Sequence, residues 1–306
     1  MGRTHFGRNL RYIVKVILGK RSKIEIFYDL VTKLSKSHRT LQLREIRMNN
    51  RGELFIIMEN GLSIFFAGSE GEIEYGDGQN LIFKGINKNE VYPELLTQYL
   101  FTEIKSFVDI GANNGYYYSL QAAKFGINEI HAFEPNPKIL THLYKNIHEN
   151  NFQEVIKVYE IALSNLRLTN LSLAANRGAN SRIVQKKRMR DKILKVSTRK
   201  FDDLDLTLTN PTLIKIDVEG YELDVLKGAN KFVEQTRPYV ILEINKALLK
   251  EYGTNIKDIE NYFLFKNYVL QNILNSNDYF ACPKENQVLL LGASKFLAVN
   301  KQIRGN

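Results

Sequence analysis

The stretch FVDIGANNGYYYSLQAA, residues 107–123, decides the fold class of this 306-residue chain. Its apolar start predicts a buried strand, its glycines predict a turn, and the remainder predicts a helix. Such turns bind ligands in α/β proteins because backbone N–H groups and the positive helix end point at them. The spacing Gly111-x-Asn113-x-Gly115 lacks the glycine pattern that lets a pyrophosphate approach the backbone in dinucleotide enzymes. We therefore expect a ligand without a pyrophosphate.

Beyond Pro93, short apolar runs alternate with amphipathic stretches, which is typical of a parallel sheet with right-handed helical crossovers. We expect strands at 106–110, 129–133, 155–161, 213–217 and 238–244, and helices near 115–125, 137–149 and 221–234. A helix from 246 to about 264 precedes YVLQNI and DYFACP, which we expect to pair antiparallel at the sheet edge. The predicted fold class is α/β, with a Rossmann-like, mostly parallel sheet and an antiparallel terminal strand.

The first third of the chain has a different pattern. Residues 9–35 have helical apolar spacing, and later apolar runs separated by Asn-Gly or glycine-rich breaks predict antiparallel strands, with a hairpin at ENGLS, 59–63. We expect a small α+β cap over residues 1–100 and the main α/β domain over 101–306. The stretch 164–200 is polar and basic, so we expect an insertion there after the third strand.

Composition excludes several classes of protein. With 44% hydrophobic and 25% charged residues, the chain is neither disordered nor collagenous, and its single cysteine cannot form an internal disulfide. No apolar run reaches the roughly 18 residues that a membrane span needs, and we find no signal sequence. We expect a cytoplasmic protein.

The net charge of +10 is concentrated in two basic stretches, residues 1–23 with seven basic residues and 182–200 with nine. The remainder is mildly acidic, so the high pI does not indicate a surface that coats nucleic acid. One interpretation is two solvated faces. The other is a basic arm that holds an anionic acceptor, or a terminal segment, residues 1–35, that contacts the inner face of a membrane.

The second predicted strand ends in HAFEPNP, residues 131–137, which places Glu134 at a carboxyl edge. An acidic side chain there can accept hydrogen bonds from both hydroxyls of a ribose. Taken singly, Gly111 and Gly115 fit a tight packing turn, and Glu134 fits a carboxylate that caps a helix. Together they favour a nucleoside without a pyrophosphate, and S-adenosylmethionine is such a molecule.

Several stretches resemble the FkbM-type methyltransferases, among the class I S-adenosylmethionine-dependent enzymes. The resemblance covers about residues 105 to 282 and rests on these motifs: VDIGANNGYYYS (108–119), HAFEPNP (131–137), YEIALSN (159–165), LIKIDVEGYELDVLKGA (213–229) and RPYVILEIN (237–245). It implies a seven-stranded methyltransferase sheet with a reversed terminal pair. It also implies O-methylation of hydroxyls on sugars or natural products, as in polysaccharide biosynthesis.

The resemblance and the sheet edge together assign cofactor roles. By resemblance, Asp109 orients the amino group of the cofactor. Backbone groups of Gly111, Ala112, Asn113 and Gly115 are expected to surround its methionine carboxylate at the helix start.

The remaining cofactor residues lie at the ends of the second and third predicted strands. Glu134 is expected to hold the ribose, with Pro135 beside it. Ile161 and Ala162 are expected to contact adenine.

Three acidic residues are candidates for the acceptor side, namely Asp217, Glu219 and Glu243. A sugar hydroxyl is a poor nucleophile, so methyl transfer benefits from a base or a metal. Either Asp217 is the general base, or Asp217 and Glu243, with Glu219, provide oxygen ligands for Mg²⁺. For Glu219 and Glu222 a structural interpretation is also open, because acidic residues near a helix start are stabilised by its dipole.

Three other functions are weighed against an O-methyltransferase of saccharides or related small molecules. A nicotinamide oxidoreductase is opposed by Asn113 and by the missing third glycine. A nucleic-acid methyltransferase or binding module would use the basic 182–200 segment, but no aromatic residue interrupts that run to stack on bases. A membrane-surface protein would act through residues 1–35.

Overall fold

The computed structural model describes most of the chain from residue 43 onward. The described ranges are 43–51, 53–67, 91–168, 171–175, 181–183, 193–274 and 276–304. The predicted helices at 9–35, the basic stretch 1–23 and residues 184–192 of the basic stretch 182–200 lie outside them. The chain divides into two units, Met1–Ile86 and Asn87–Asn306.

In the first unit, three strands form an antiparallel sheet in the order β1-β2-β3. They are β1 (Leu43–Met48), β2 (Leu54–Met58) and β3 (Ser63–Ala67). The predicted hairpin joins β2 to β3, with Gly61 at φ +83° in its turn and the Asn60 side chain accepting a hydrogen bond from the backbone N–H of Leu62. Phe55, Ile57 and Phe65 form a small apolar cluster.

A seven-stranded sheet organises the second unit. Its strands, in chain order, are β4 (Ser106–Ile110), β5 (Glu129–Phe133), β6 (Ile156–Tyr159), β12 (Thr212–Ile216), β13 (Tyr239–Glu243), β14 (Tyr268–Asn272) and β15 (Asp278–Pro283). Their order across the sheet is β14-β15-β13-β12-β4-β5-β6. All neighbours from β13 to β6 are parallel, whereas β15 is antiparallel to both β13 and β14. The predicted fold class is confirmed.

Short strands after β6 form two further sheets. These strands are β7 (Ala162–Leu163), β8 (Leu171–Ala175), β9 (Ser181–Ile183), β10 (Ile193–Val196) and β11 (Thr198–Arg199). Strands β10, β8 and β9 are antiparallel, and β11 pairs with β7 in parallel. The described part of the predicted insertion at 164–200 therefore contains small sheets.

Eight helices lie in the described part of the second unit. They are α1 (Val91–Leu100), α2 (Ser119–Lys124), α3 (Pro137–Glu149), α4 (Glu222–Gly228), α5 (Asn230–Thr236), α6 (Lys246–Glu251), α7 (Ile256–Phe265) and α8 (Gln287–Arg304). Within the described ranges, none of the helices is both long enough and apolar enough to span a bilayer. The predicted cap extends to residue 100, whereas helix α1 belongs to the second unit, which begins at Asn87.

Three predicted helices differ in their bounds. The helix predicted at 115–125 begins at Ser119, because Gly115 has a φ of +79° and belongs to the turn. The helix predicted at 221–234 is two helices that meet at Ala229. The helix predicted from 246 to 264 is also two, because Gly253, at φ +73°, ends the first and Asn255 caps the second with a capping box.

The two faces of the central strands differ in polarity, and this difference positions the site. Val108, Ile110, Ile214 and Ile216 belong to the main apolar core, to which α4, α5 and α7 contribute. Successive side chains of a strand point to opposite faces. The other face therefore carries Lys215 and Asp109, which pair across β12 and β4, and both are buried.

Replacing Gly111 by alanine should destabilise the protein, because the new Cβ would lie 1.9 Å from the carbonyl oxygen of Asp217. Gly126 is a matched control: its φ of +92° resembles the +84° of Gly111, but nothing lies within 4 Å of a Cβ built there. Both alanines share the left-handed backbone strain of about 1 kcal/mol. Only Gly111→Ala adds overpacking, which costs a further ~1–3 kcal/mol. Urea unfolding measures both losses, and equal losses would contradict this close approach.

Candidate active site

The candidate site lies between β4 and β12, at the carboxyl ends of the parallel strands. This is the switch point of the sheet, where the chain stops adding strands on one side of β4 and continues on the other. The turn after β4 is fixed to both neighbouring strand ends. Gly111 and Ala112 each donate a backbone hydrogen bond to the carbonyl of Phe133, at 3.0 Å. The backbone N–H of Asp217 donates to the carbonyl of Ile110, at 2.9 Å. The glycine turn, the end of β5 and the end of β12 therefore meet at one edge.

Glu134 fastens the turn to the end of β5. Its Oε2 accepts a hydrogen bond from the backbone N–H of Asn113 at 3.0 Å, and its Oε1 accepts one from Asn136 at 2.8 Å. The side chain is 5% exposed. Each oxygen of a carboxylate can accept two hydrogen bonds, so this geometry is compatible with hydroxyl donors. The predicted ribose residue thus lies beside the glycine turn, as a nucleoside site requires.

The turn amides that were predicted to surround a carboxylate donate within the protein. Besides Gly111, Ala112 and Asn113, the backbone N–H of Gly115 donates to the carbonyl of Ala112 at 2.9 Å. A methionine carboxylate at this turn would compete with these bonds. The predicted backbone contacts therefore stay a prediction. Asn113 has a φ of +53°, a conformation that asparagine tolerates better than most residues.

Asp109 lies inside the protein, turned toward the start of α2. Its Oδ2 accepts hydrogen bonds from the backbone N–H of Ser119 at 3.1 Å and from its hydroxyl at 2.5 Å. Burial raises the pKa of Asp109 to about 6, against the hydrogen bonds from Ser119, which lower it. Asp109 therefore fixes the start of the helix beside the turn, and its predicted role toward the cofactor amino group stays a prediction.

The two residues predicted to contact adenine lie just beyond β6. The strand ends at Tyr159, two residues earlier than expected. Ile161 is half-buried against the main core, and Ala162 is buried in a separate cluster with Leu173 and Val196. Their contact with adenine stays a prediction, as does that of half-buried Pro135.

Asp217 and Glu243, the predicted acceptor-side residues, lie side by side at the sheet edge. Ile216 pairs with Leu242, so the next residues, Asp217 and Glu243, are neighbours at the ends of β12 and β13. The carboxyl of Glu243 donates a hydrogen bond to Asp217. The negative charge of Asp217, followed by burial, raises the pKa of Glu243 to about 9, and burial raises the pKa of Asp217. The two form a hydrogen-bonded carboxyl pair.

Lys215 and Asp278 lie beside the carboxyl pair, and no role was predicted for either residue from the sequence. Lys215 is 1% exposed, and its Nζ lies 2.7 Å from Oδ1 of Asp278. Asp278 is 63 residues further along the chain, so no local motif links the two residues. The Nζ also lies 5.0 Å from the centre of the Tyr118 ring. The available signal was a lysine inside the apolar run LIKI, because lysine is almost never buried without a partner.

The loop after β12 contains Glu219 and Glu222. Glu219 is half-buried and has a φ of +55°, in the left-handed region. Glu222 is 1% exposed; its Oε1 accepts a hydrogen bond from the backbone N–H of Gly220 at 2.9 Å, and its Oε2 has no partner. Glu222 therefore holds the loop from within, in addition to any effect of the helix dipole.

The donor set does not fit the predicted Mg²⁺ site. Among the residues that the structure describes, no group of three or more His, Cys, Asp or Glu side chains could hold a metal ion. Mg²⁺ prefers ionised oxygen ligands and keeps several waters. Asp217 and Glu243 instead hydrogen-bond to each other, and the ammonium of Lys215 acts on both.

Glu222 should make the protein less stable as the pH rises, because burial raises its pKa from the ordinary 4.5 to about 7. Between these values the folded state binds more protons than the unfolded state, so the free energy of unfolding falls with pH. Glu222→Gln removes this contribution and should gain about 1 kcal/mol per pH unit relative to the wild type in that window. Urea unfolding over a pH series measures the gain, with exposed Glu154→Gln as the control. A constant difference would contradict the raised pKa.

A family comparison identifies the chain. The profile of the methyltransferase FkbM domain matches residues 109–270, more than half of the chain. A search of curated proteins finds no match. Among solved structures, the chain is similar to methyltransferase FkbM from Methylobacillus flagellatus KT, with 21% identity and a TM-score of 0.40. That match covers 66% of this chain and 52% of the other, so the chain spans about half the length of that protein.

Two further structures share less of the sequence. The ribosomal protein L11 methylase from Lactobacillus delbrueckii subsp. bulgaricus has 13% identity and a TM-score of 0.37, over 62% of this chain and 77% of that one. Precorrin-6y C5,15-methyltransferase from Geobacter metallireducens GS-15 has 14% identity and a TM-score of 0.36, over 64% and 87%. The profile match is what identifies the family: the chain belongs to the FkbM methyltransferases.

Proposed function

We propose that the protein is an S-adenosylmethionine-dependent O-methyltransferase that acts on a hydroxyl of a saccharide or a related small molecule. The observation that carries this proposal is the adjacent, hydrogen-bonded Asp217–Glu243 pair at the sheet edge that also holds the glycine turn and Glu134. Family membership supports methyl transfer. The carboxyl pair supports a hydroxyl as the acceptor, because a hydroxyl is a poor nucleophile until a base takes its proton.

The residues around the turn fit the adenosine part of the cofactor. S-adenosylmethionine supplies a methyl group on a positively charged sulfur. Glu134, fixed by the backbone N–H groups of Asn113 and Asn136, would accept hydrogen bonds from the ribose hydroxyls. The N–H of Asn113 donates to Glu134, and position 113 carries a side chain where dinucleotide enzymes have the glycine that lets a pyrophosphate approach.

Asp217 is the residue placed to accept the proton of the acceptor hydroxyl. The hydrogen bond between the two carboxyl groups lowers the pKa of Asp217 and raises the pKa of Glu243, so Asp217 is the more acidic member of the pair and the one assigned as the base. The carboxyl of Glu243 orients the Asp217 carboxylate by donating a hydrogen bond to it. A base of this kind typically contributes 10² to 10⁴ in rate, to which positioning adds.

Glu134→Gln should weaken the binding of S-adenosylmethionine by about tenfold to a hundredfold, because it removes a charged acceptor for the ribose hydroxyls. Glutamine keeps the size of the side chain and one oxygen acceptor. Isothermal titration calorimetry of the full chain measures the affinity, with exposed Glu154→Gln as the matched control. An unchanged affinity in Glu134→Gln would rule out the ribose assignment. Absence of binding by the wild type would rule out the proposed function.

Asp217→Asn should lower the rate of methyl transfer by about 10² or more while leaving the affinity for S-adenosylmethionine nearly unchanged, because only the base is lost. The assay uses methyl-labelled cofactor and a fractionated extract of the source organism as the acceptor pool. Asp205→Asn, at an exposed position, is the control.

The pH dependence of the same assay tests the base. Transfer should rise with pH as Asp217 loses its proton, and this rise should lie above the range of an ordinary aspartate, because burial raises its pKa. Label in the carbohydrate fraction supports the proposed acceptor class. Label that enters only RNA would contradict it.

A further inference from the structure

The buried ammonium of Lys215 has no role in the proton transfer described above. It forms an ion pair with Asp278, and both side chains are nearly inaccessible to water. A buried ion pair is weak support for stability, because well-packed apolar residues of similar volume often stabilise a protein as well or better. A purely structural role therefore gives no reason for a charge at this position.

The strand register shows where this ammonium lies. Lys215 of β12 pairs with Ile241 of β13, and Glu243 of β13 pairs with Asp278 of β15. To bring its Nζ to Asp278, the side chain of Lys215 must therefore cross β13 between the levels of Ile241 and Glu243. This path holds the ammonium against the carboxyl pair, because Asp217 follows Lys215 by two residues on the same face.

Groups from two more elements face the ammonium. Asp109 pairs with Lys215 across β4 and β12, and the ring of Tyr118 precedes α2. The charge of Lys215 opposes the effect of burial on the carboxyl groups of Asp109, Asp217 and Glu243. One ammonium thus acts on carboxyl groups from three strands.

A Mg²⁺ ion at the carboxyl pair would compete with this ammonium. The ion would need ionised oxygen ligands that face it, but Asp217 and Glu243 hydrogen-bond to each other. It would also lie near a fixed positive charge, and the repulsion of a dication is twice that of a single charge at the same distance. The carboxyl groups at this place are therefore arranged around the ammonium of Lys215 and not around a metal ion.

We infer that Lys215 is a positioning residue for the carboxyl pair, and that its ammonium supplies the positive charge that Mg²⁺ would otherwise supply at this place. Asp278 anchors the ammonium, and the ammonium stabilises the Asp217 carboxylate that accepts the proton. This inference rests on the proposed function, because it concerns how Asp217 is prepared for that role. It follows that the site works without a divalent metal.

Calorimetric titration of the full chain with MgCl₂ tests the inference without an acceptor. The wild type should show no site for Mg²⁺. Lys215→Ala removes the ammonium and leaves carboxyl groups without a cation, so it should bind Mg²⁺ at least about tenfold more tightly than the wild type. The double variant Lys215→Ala/Glu243→Gln should lose this gain.

Two results would overturn the inference. One is stoichiometric Mg²⁺ binding by the wild type that Glu243→Gln abolishes. This result can be obtained even if Lys215→Ala does not fold. The other is a folded Lys215→Ala that gains no Mg²⁺ affinity. Lys215→Arg keeps the charge and should behave like the wild type, which a merely structural role for the lysine side chain would not require.

The same samples separate this inference from the proposed function. A wild type that binds S-adenosylmethionine and also takes up Mg²⁺ at the pair contradicts only the inference about Lys215. A wild type that binds neither contradicts the proposed function and leaves the absence of a metal site as found.

Discussion

The alternation of strand β12 is the constraint on which the rest of the site depends. Ile214 and Ile216 point into the main apolar core, so Lys215 must point to the opposite face, where it is also buried. A buried ammonium needs a partner, and Asp278 provides it from the reversed strand β15. The antiparallel terminal pair therefore serves the charge balance of the site as well as closing one edge of the sheet. Asp217 follows on the same face, just past the end of the strand.

How far the sequence predicts this site depends on whether a residue's place follows from its own strand. Asp217 and Glu243 could be predicted, because each stands at the end of an apolar run and parallel strands end at a common edge. Glu134 was predictable for the same reason. Lys215 was not assigned, because its partner depends on the register of β13 against β15, which no local pattern contains. Long-range register decided the electrostatics of the site.

The glycine turn shows a second kind of limit. Its position followed from the strand and the two glycines, but its hydrogen bonds did not. The carbonyl of Phe133 accepts two turn amides, and Glu134 accepts a third. The turn is thus held from β5 and by the end of β12. Its shape is set before any ligand binds, and preorganisation of this kind lowers the entropy lost on binding.

The charges of the acceptor side complement those of the reaction. Lys215 and Asp278 form an ion pair of opposite charges, and the proposed base Asp217 lies beside them with its hydrogen-bonded partner Glu243. In the proposed reaction, proton uptake by an ionised Asp217 would remove a negative charge in the same step in which methyl transfer removes one positive charge from the cofactor. The proposed step would therefore leave neither a new negative charge on Asp217 nor a positive charge on the cofactor. In a region of low dielectric, where an uncompensated charge is costly, a fixed ammonium with its own counter-ion meets this requirement, because it adds no net charge.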